Sequence, residues 1–277
     1  MKFGIAIRNM GPQSTPAGVR ACAQTAERCG FDGLFLSDHI AIPPGETEGS
    51  GGRYLDALTT LSFLAGVTSR IRLGVSVLIL PYRPAVLTAK QIATVQELSG
   101  GRLIIGTGVG WMKGEFEALG VDSRRRGALT TETLRVIHHL FETDAIPYSG
   151  ELVKFPPFVF LPRPQRPPLW IGGSGASAIE RALAFGDGWH PMLPPGELKP
   201  AVAALRERAR AAGRGELEIV VRRGLKLDDV AGDRERLRAD EDAGATYFIF
   251  DPGRYADAAE FEKRAQAFIT QIANRRN

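Results

Sequence analysis

The stretch Ile71-Arg72-Leu73-Gly74-Val75-Ser76-Val77, then Ala85-Val86-Leu87-Thr88-Ala89-Lys90-Gln91-Ile92, then Arg102-Leu103-Ile104-Ile105-Gly106 sets the reading of the whole chain. Its two ends are rich in β-branched residues and largely apolar, while its middle repeats apolar residues at helical spacing. A strand, a helix and a second strand in succession make a βαβ unit, in which the two strands lie parallel. Strands with so little alternation belong to a sheet that helices cover from outside.

The same texture continues outward in both directions. Strands are predicted over 3–8, 33–36, 71–77, 102–106, 169–172, 188–191, 217–222 and 246–250. Helices are predicted over 16–30, 54–68, 85–98, 130–141, 176–185, 198–212, 233–243 and 256–273. Eight alternating units in 277 residues predict an α/β fold, a (β/α)8 TIM barrel forming one domain, in preference to an open doubly wound sheet. Gly30, Gly186, Gly213 and Gly244 follow or close their helices, where a left-handed cap favours glycine. The longest departure is the proline-rich segment 143–168 before strand five, with a hairpin-like run at 148–155. It reads as an insertion over one end of the barrel, because loops of that length are usually functional or form a minor element.

Composition excludes several classes. Apolar residues make up 44% and charged residues 24%, and the formal charge is only +4. Arginines are scattered along helices, and Arg124-Arg125-Arg126 reads as a solvated helix start, so no nucleic-acid partner is expected. No apolar run reaches membrane-spanning length, and Met1-Lys2-Phe3-Gly4-Ile5 enters a strand without a cleavable leader, so a cytoplasmic protein is expected. Two cysteines, Cys22 and Cys29, are too few for a disulfide framework, and their spacing does not suit zinc.

In a barrel of this kind the site is built from loops after the C-terminal ends of the strands. There the sequence gathers Ser37-Asp38-His39, Ser76-Val77, Gly106-Thr107-Gly108-Val109-Gly110-Trp111, Gly172-Gly173-Ser174-Gly175-Ala176-Ser177, Trp189-His190 and Asp251-Pro252. The loop after strand five predicts a phosphate cradle: glycines admit a ligand to the backbone, and the helix starting at Ala176 offers N–H groups. Ser174 and Ser177 would add hydroxyl donors; a tight turn with a serine cap explains one of its glycines but not three. The spacing Gly106-x-Gly108-x-Gly110 is not that of a dinucleotide fingerprint.

A single histidine is more often structural than catalytic, yet His39 sits at a strand end beside Asp38, a carboxylate able to fix its tautomer. His138 and His139 fall mid-helix and receive no role, while His190 faces either the cavity or the core. A metal hydrolase lacks ligands on strand one, and no metal site is expected. Lys226, the nearest lysine for Schiff-base chemistry, falls beyond its strand. A bound redox cofactor carrying the chemistry is the economical reading.

The residues Ile71–Leu78 with Pro81-Tyr82-Arg83-Pro84 and Ala89-Lys90-Gln91 resemble the luciferase-like monooxygenase superfamily. Ser99-Gly100-Gly101-Arg102-Leu103 leading into Gly106–Gly110, and Pro168–Gly173 with Gly186-Asp187-Gly188-Trp189, carry the same resemblance. It runs in order from Phe3 to about Trp189, and beyond that only the strand–helix rhythm agrees. Within the superfamily the chain is most similar to the branch that uses the deazaflavin coenzyme F420, where Asp-His follows strand two.

The resemblance implies a hydride-transfer oxidoreductase that binds F420 and acts on a small organic substrate, with His39 as proton donor or hydrogen-bond partner. It implies a non-prolyl cis bulge at Ser76-Val77 behind the central ring and a cofactor phosphate at the strand-five loop. Cofactor contacts then fall to Asp38, Ser76, Val77, Thr107, Gly108, Gly172, Gly173, Ser174, Ala176 and Ser177. Trp111, Trp189 and the insertion would wall the pocket, although both tryptophans also suit the core or the rim. Sugar-phosphate dehydrogenases of the branch carry an acid–base Glu after the Gly-x-Gly of strand four; Val109 occupies that position here. Two rivals follow: an FMN-dependent monooxygenase on the same fold, and a cofactor-binding protein without turnover. Relatives of this kind commonly form homodimers.

Overall fold

A computed structural model describes residues 1–47, 49–143 and 147–273. Eight parallel strands close into a barrel. In chain order these are β1 (Lys2–Ala6), β2 (Gly33–Leu36), β3 (Arg72–Ile79) and β4 (Leu103–Gly108), then, after a small hairpin of β5 (Tyr148–Ser149) and β6 (Lys154–Phe155), β7 (Leu169–Gly172), β8 (Gly188–His190), β9 (Glu218–Gly224) and β10 (Tyr247–Asp251). Around the ring each strand pairs with its sequence neighbour, β4 pairs with β7 across the hairpin, and β10 closes onto β1. The helices are α1 (Pro16–Arg28), α2 (Ala57–Ala65), α3 (Ala85–Leu98), α4 (Lys113–Ala118), α5 (Arg126–Glu142), α6 (Ala176–Phe185), α7 (Pro195–Ala211), α8 (Val230–Asp242) and α9 (Ala258–Ala267). The protein is a (β/α)8 TIM barrel.

The strands are apolar on both faces because each face has a different core to fill. Inside, Phe35, Trp170 and Tyr247 interlock, with ring centroids 4.8 to 5.7 Å apart. Room for Phe35 comes from Gly74 and Gly4, where a Cβ would stand 2.4 and 2.5 Å from its ring. Outside, Leu34, Leu36, Leu73, Val75 and Ile105 pack beneath the helices. Truncating a plug residue such as Phe35 to Ala costs about 3–5 kcal/mol.

Several predicted boundaries move, for local reasons. Predicted over 54–68, α2 begins only at Ala57, because Asp56 Oδ1 accepts from Thr59 N–H at 2.8 Å and caps it there. Tyr54 instead bridges to Met10. The six-residue α4 is additional to the predicted helices; it is short and ends at Ala118, two residues before Gly120, whose φ is +68°. The last helix stops at Ala267, and its final turn widens into a π-helical turn over Phe268–Ile272.

The proline-rich insertion does not wall the mouth. It connects the C-terminal end of α5 to the N-terminal end of β7, at the opposite end of the barrel. There Gln96 Nε2 donates to Gln165 O at 3.0 Å, and Tyr148 stacks on Phe155. Residues 144–146 of this segment lie outside the described residues. Among the described residues, no helix is long and apolar enough to cross a membrane.

Candidate active site

A cavity of about 550 Å³ opens at the C-terminal ends of the strands. One side is a ledge almost without side chains. The Ser76–Val77 peptide is cis, and the ladder between β3 and β4 shifts register between Val75 and Leu78. Val77 stands on the cavity wall, with Gly108 and Gly172 beside it. A Cβ on Gly108 would lie 2.5 Å from Val77 Cγ2, and one on Gly172 would lie 2.6 Å from Thr107 O. Gly108 makes room for Val77, and Gly172 clears the Thr107 carbonyl. Beyond the ledge, Gly173 takes φ +113°, and Gly175 caps α6 with no side-chain hydrogen bond. Ala176 and Ser177 are exposed at this helix start, where backbone N–H groups and the dipole favour an anion. A flat, apolar shelf ending at an uncapped helix is the shape and charge that a tricyclic ring with a phosphate-bearing tail requires.

The opposite side carries the titratable groups. His39 follows β2, lines the cavity, and is largely buried, with Tyr54 packed edge-on at 5.2 Å. Its carboxylate partner is not Asp38, as its neighbour in sequence suggests, but Glu115 on α4: Nδ1 lies 2.9 Å from Glu115 Oε2. Asp38 also borders the cavity, but its carboxylate is bound elsewhere. Its two oxygens accept from Arg83 at 2.7 and 2.8 Å, and Oδ2 also accepts from Ile79 N–H. That bidentate pair fastens the end of β2 to the turn after β3, so the carboxylate itself is spent on structure.

Glu115 is fully enclosed. Burial on its own raises its pKa, but hydrogen bonds from His39, from the Ile40 and Ala41 N–H groups and from the Tyr82 hydroxyl outweigh it and hold the carboxyl at about 2. The same burial and the adjacent carboxylate push the Tyr82 phenol up.

At the floor, His190 ends β8. Val220 O can only accept, so His190 Nδ1–H donates to it at 3.0 Å, and Nε2 accepts from the Ser76 hydroxyl at 2.8 Å. Burial, reinforced by the Arg222 and Arg223 guanidiniums and only partly opposed by the Val220 bond, pushes His190 down to about 4. This histidine both lines the cavity and is satisfied in the core. Arg222, on β9, was not singled out from the sequence. It reaches across the floor to Asp251 Oδ2 at 2.7 Å and to Ser76 O at 3.0 Å. It is the one Lys or Arg on the described cavity wall, and Asp251 neutralises it.

The other predicted residues divide. Thr107 is buried with its hydroxyl 3.4 Å from Trp170 O, behind the wall and not on it. Ser174 Oγ accepts from Met192 N–H at 3.0 Å, tying the strand-five loop to the rim. Trp189 is core: it is fully buried, its Nε1–H donating to Gly173 O. Trp111 is on the rim, 60% exposed, with Met192 at 86% and Ile40 at 42%.

This barrel, with a ligand shelf and a carboxylate-backed histidine at its mouth, is that of a cofactor-dependent oxidoreductase. The chain belongs to the luciferase-like monooxygenase family, whose model matches residues 1–276. It is 31% identical to an uncharacterised protein of Mycobacterium tuberculosis, over 96% of this chain and 98% of the relative. It is also 31% identical to an F420-dependent glucose-6-phosphate dehydrogenase of Nakamurella multipartita, over 87% of this chain and 71% of that enzyme. Its fold superposes on an F420-dependent secondary alcohol dehydrogenase with a TM-score of 0.82 at 16% identity, covering 100% of this chain and 99% of that one.

Proposed function

We propose that the protein is an F420-dependent oxidoreductase acting on a small, uncharged alcohol or carbonyl compound. The observation that carries this reading is the placement of His39 on the same cavity as Val77, Gly108, Gly172 and Gly173, the last of which leads to the uncapped start of α6. Similarity to the F420-dependent dehydrogenase of Nakamurella supports the choice of coenzyme. The backbone of Gly173 to Ser177 would hold the phosphate, and Val77, Gly108 and Gly172 would support the ring. When bound, the deazaflavin supplies a two-electron hydride carrier. His39 takes the hydroxyl proton of an alcohol as its carbon gives up hydride, or returns that proton to a carbonyl oxygen in the reverse direction.

Substrate charge follows from the wall. Val77, Ile79, Val109, Trp111, Pro191 and Met192 give the cavity an apolar lining, and its single guanidinium is paired. Among the described residues, a phosphorylated sugar would meet no unpaired Lys or Arg on that wall, and Val109 offers no acid.

FMN has the same three-ring outline and a phosphate, so the shelf accommodates it and an oxygen-using reaction is the second reading. Anaerobic incubation with F420 and a panel of secondary alcohols separates the two. Bleaching of the F420 absorbance is expected; oxygen-dependent turnover with reduced FMN, and none with F420, would refute the proposal. The family resemblance also suggests a homodimer, for which a mass near twice the chain's 30.0 kDa in light scattering is the test.

A further inference from the structure

We infer that Glu115 is the positioning residue of the proton-transfer site, acting only through His39, and that it does not replace the acid absent at Val109. The inference rests on the proposed function for its catalytic consequence, but not for its geometry. Glu115 cannot touch a substrate: it is fully enclosed, and its acceptor sites are already occupied. Oε1 accepts from the Ile40 and Ala41 N–H groups, and Oε2 accepts from the Tyr82 hydroxyl at 2.8 Å and from His39 at 2.9 Å. An ionised carboxylate has about four lone-pair sites, and four donors fill them.

Since Glu115 can only accept, His39 Nδ1 must carry a hydrogen. The lone pair of the neutral ring therefore lies on Nε2, and the proton that comes and goes does so there. When Nε2 gains its proton, the new imidazolium stands 2.9 Å from a fixed, desolvated anion, which stabilises it more than water-screened charge would. Tyr54 faces the ring edge-on, Tyr82 is bound to Glu115, and Asp38 is held by Arg83, which also binds Asp56. In effect the Glu115 carboxylate stands behind the histidine and not across the cavity from it.

The test is a long-range ¹H–¹⁵N NMR pH titration of the full-length protein, with His39 signals assigned through their loss in His39→Asn. Wild type should show the Nδ1–H tautomer. Glu115→Gln should lower the His39 titration midpoint by about one to three pH units and leave His190 unmoved. In the F420 assay the same variant should lose kcat while cofactor affinity stays within about threefold of wild type. An Nε2–H tautomer in wild type, or an unchanged midpoint in the variant, would overturn the inference. If Glu115→Gln does not fold, Tyr82→Phe decides, since it removes a competing donor and should raise the His39 midpoint; no movement there also overturns the inference. Because the NMR readout needs no cofactor, failure of the F420 reading leaves this test intact.

Discussion

Two histidines line one cavity from strand ends, and their neighbours make them opposites. His39, on the β2 side, has a buried carboxylate 2.9 Å behind it. His190, on the β8 side, has a backbone carbonyl, a serine hydroxyl and two nearby guanidiniums, and it is held down at about 4. An anion stabilises a gained proton and cations oppose it, so the first ring suits proton exchange and the second is a neutral hydrogen-bonding strut. A histidine at a strand end therefore says little about catalysis until the charges around it are known.

The largest expected effect of breaking this contrast is on turnover. His39→Ala should lower kcat by about 10²–10⁴-fold while cofactor affinity stays within about tenfold, whereas His190→Asn should lower kcat far less. Equal losses from the two substitutions would erase the distinction. Next in size is a structural effect on the His39 side. Arg83→Ala leaves Asp38 buried without its guanidinium, which costs about 3–5 kcal/mol, seen as a fall in the chemical-denaturation midpoint; a shift within error would mean that the Asp38–Arg83 pair does not fasten β2 to the turn after β3.

The His190 side should dominate mild-acid stability. Its folded value of about 4 lies below the ordinary 6.5, so the fold favours the neutral ring. Its contribution is full above pH 6.5 and is lost as pH falls from 6.5 through 4, amounting to about 3 kcal/mol. Glu115, held at about 2 against an ordinary 4.5, adds a loss that begins only below pH 4.5. Thermal melts of wild type should decline from pH 6.5 downward, while His190→Asn should stay nearly flat until pH 4.5. Parallel curves would place the titrating group elsewhere.

The barrel was legible because every strand had to be apolar on both faces and every helix on one, a constraint repeated along the chain. The shelf was legible as well, since Gly172 and Gly173 are adjacent in sequence and act through their backbone. Glu115 was not, because its role depends on a pairing across 76 residues. One local sign of it exists: Met112, Glu115 and Phe116 share the buried face of α4, and a glutamate on an apolar face needs a partner. Arg222 leaves a similar sign, two residues after inward-facing Val220, where the apolar run Ile219–Val221 ends. Asp38 misled because adjacency in sequence is a poor guide where successive side chains diverge.

The most direct test of the central proposal, that this mouth binds a deazaflavin by its phosphate at the start of α6, is a fluorescence titration with F420 and with FMN, for wild type and for Gly175→Asp. Gly175 has open space around its Cβ position and an ordinary extended conformation, so aspartate fits and improves the helix cap by a few tenths of a kcal/mol. The same carboxylate would repel the phosphate and occupy its N–H donors. Losing a charge-assisted hydrogen bond of about 1.5–3 kcal/mol weakens binding roughly ten- to a hundredfold. The account predicts that wild type binds F420 more tightly than FMN, and that the variant melts no lower but loses that affinity. FMN preferred over F420, or a variant that binds F420 as well as wild type does, would contradict it.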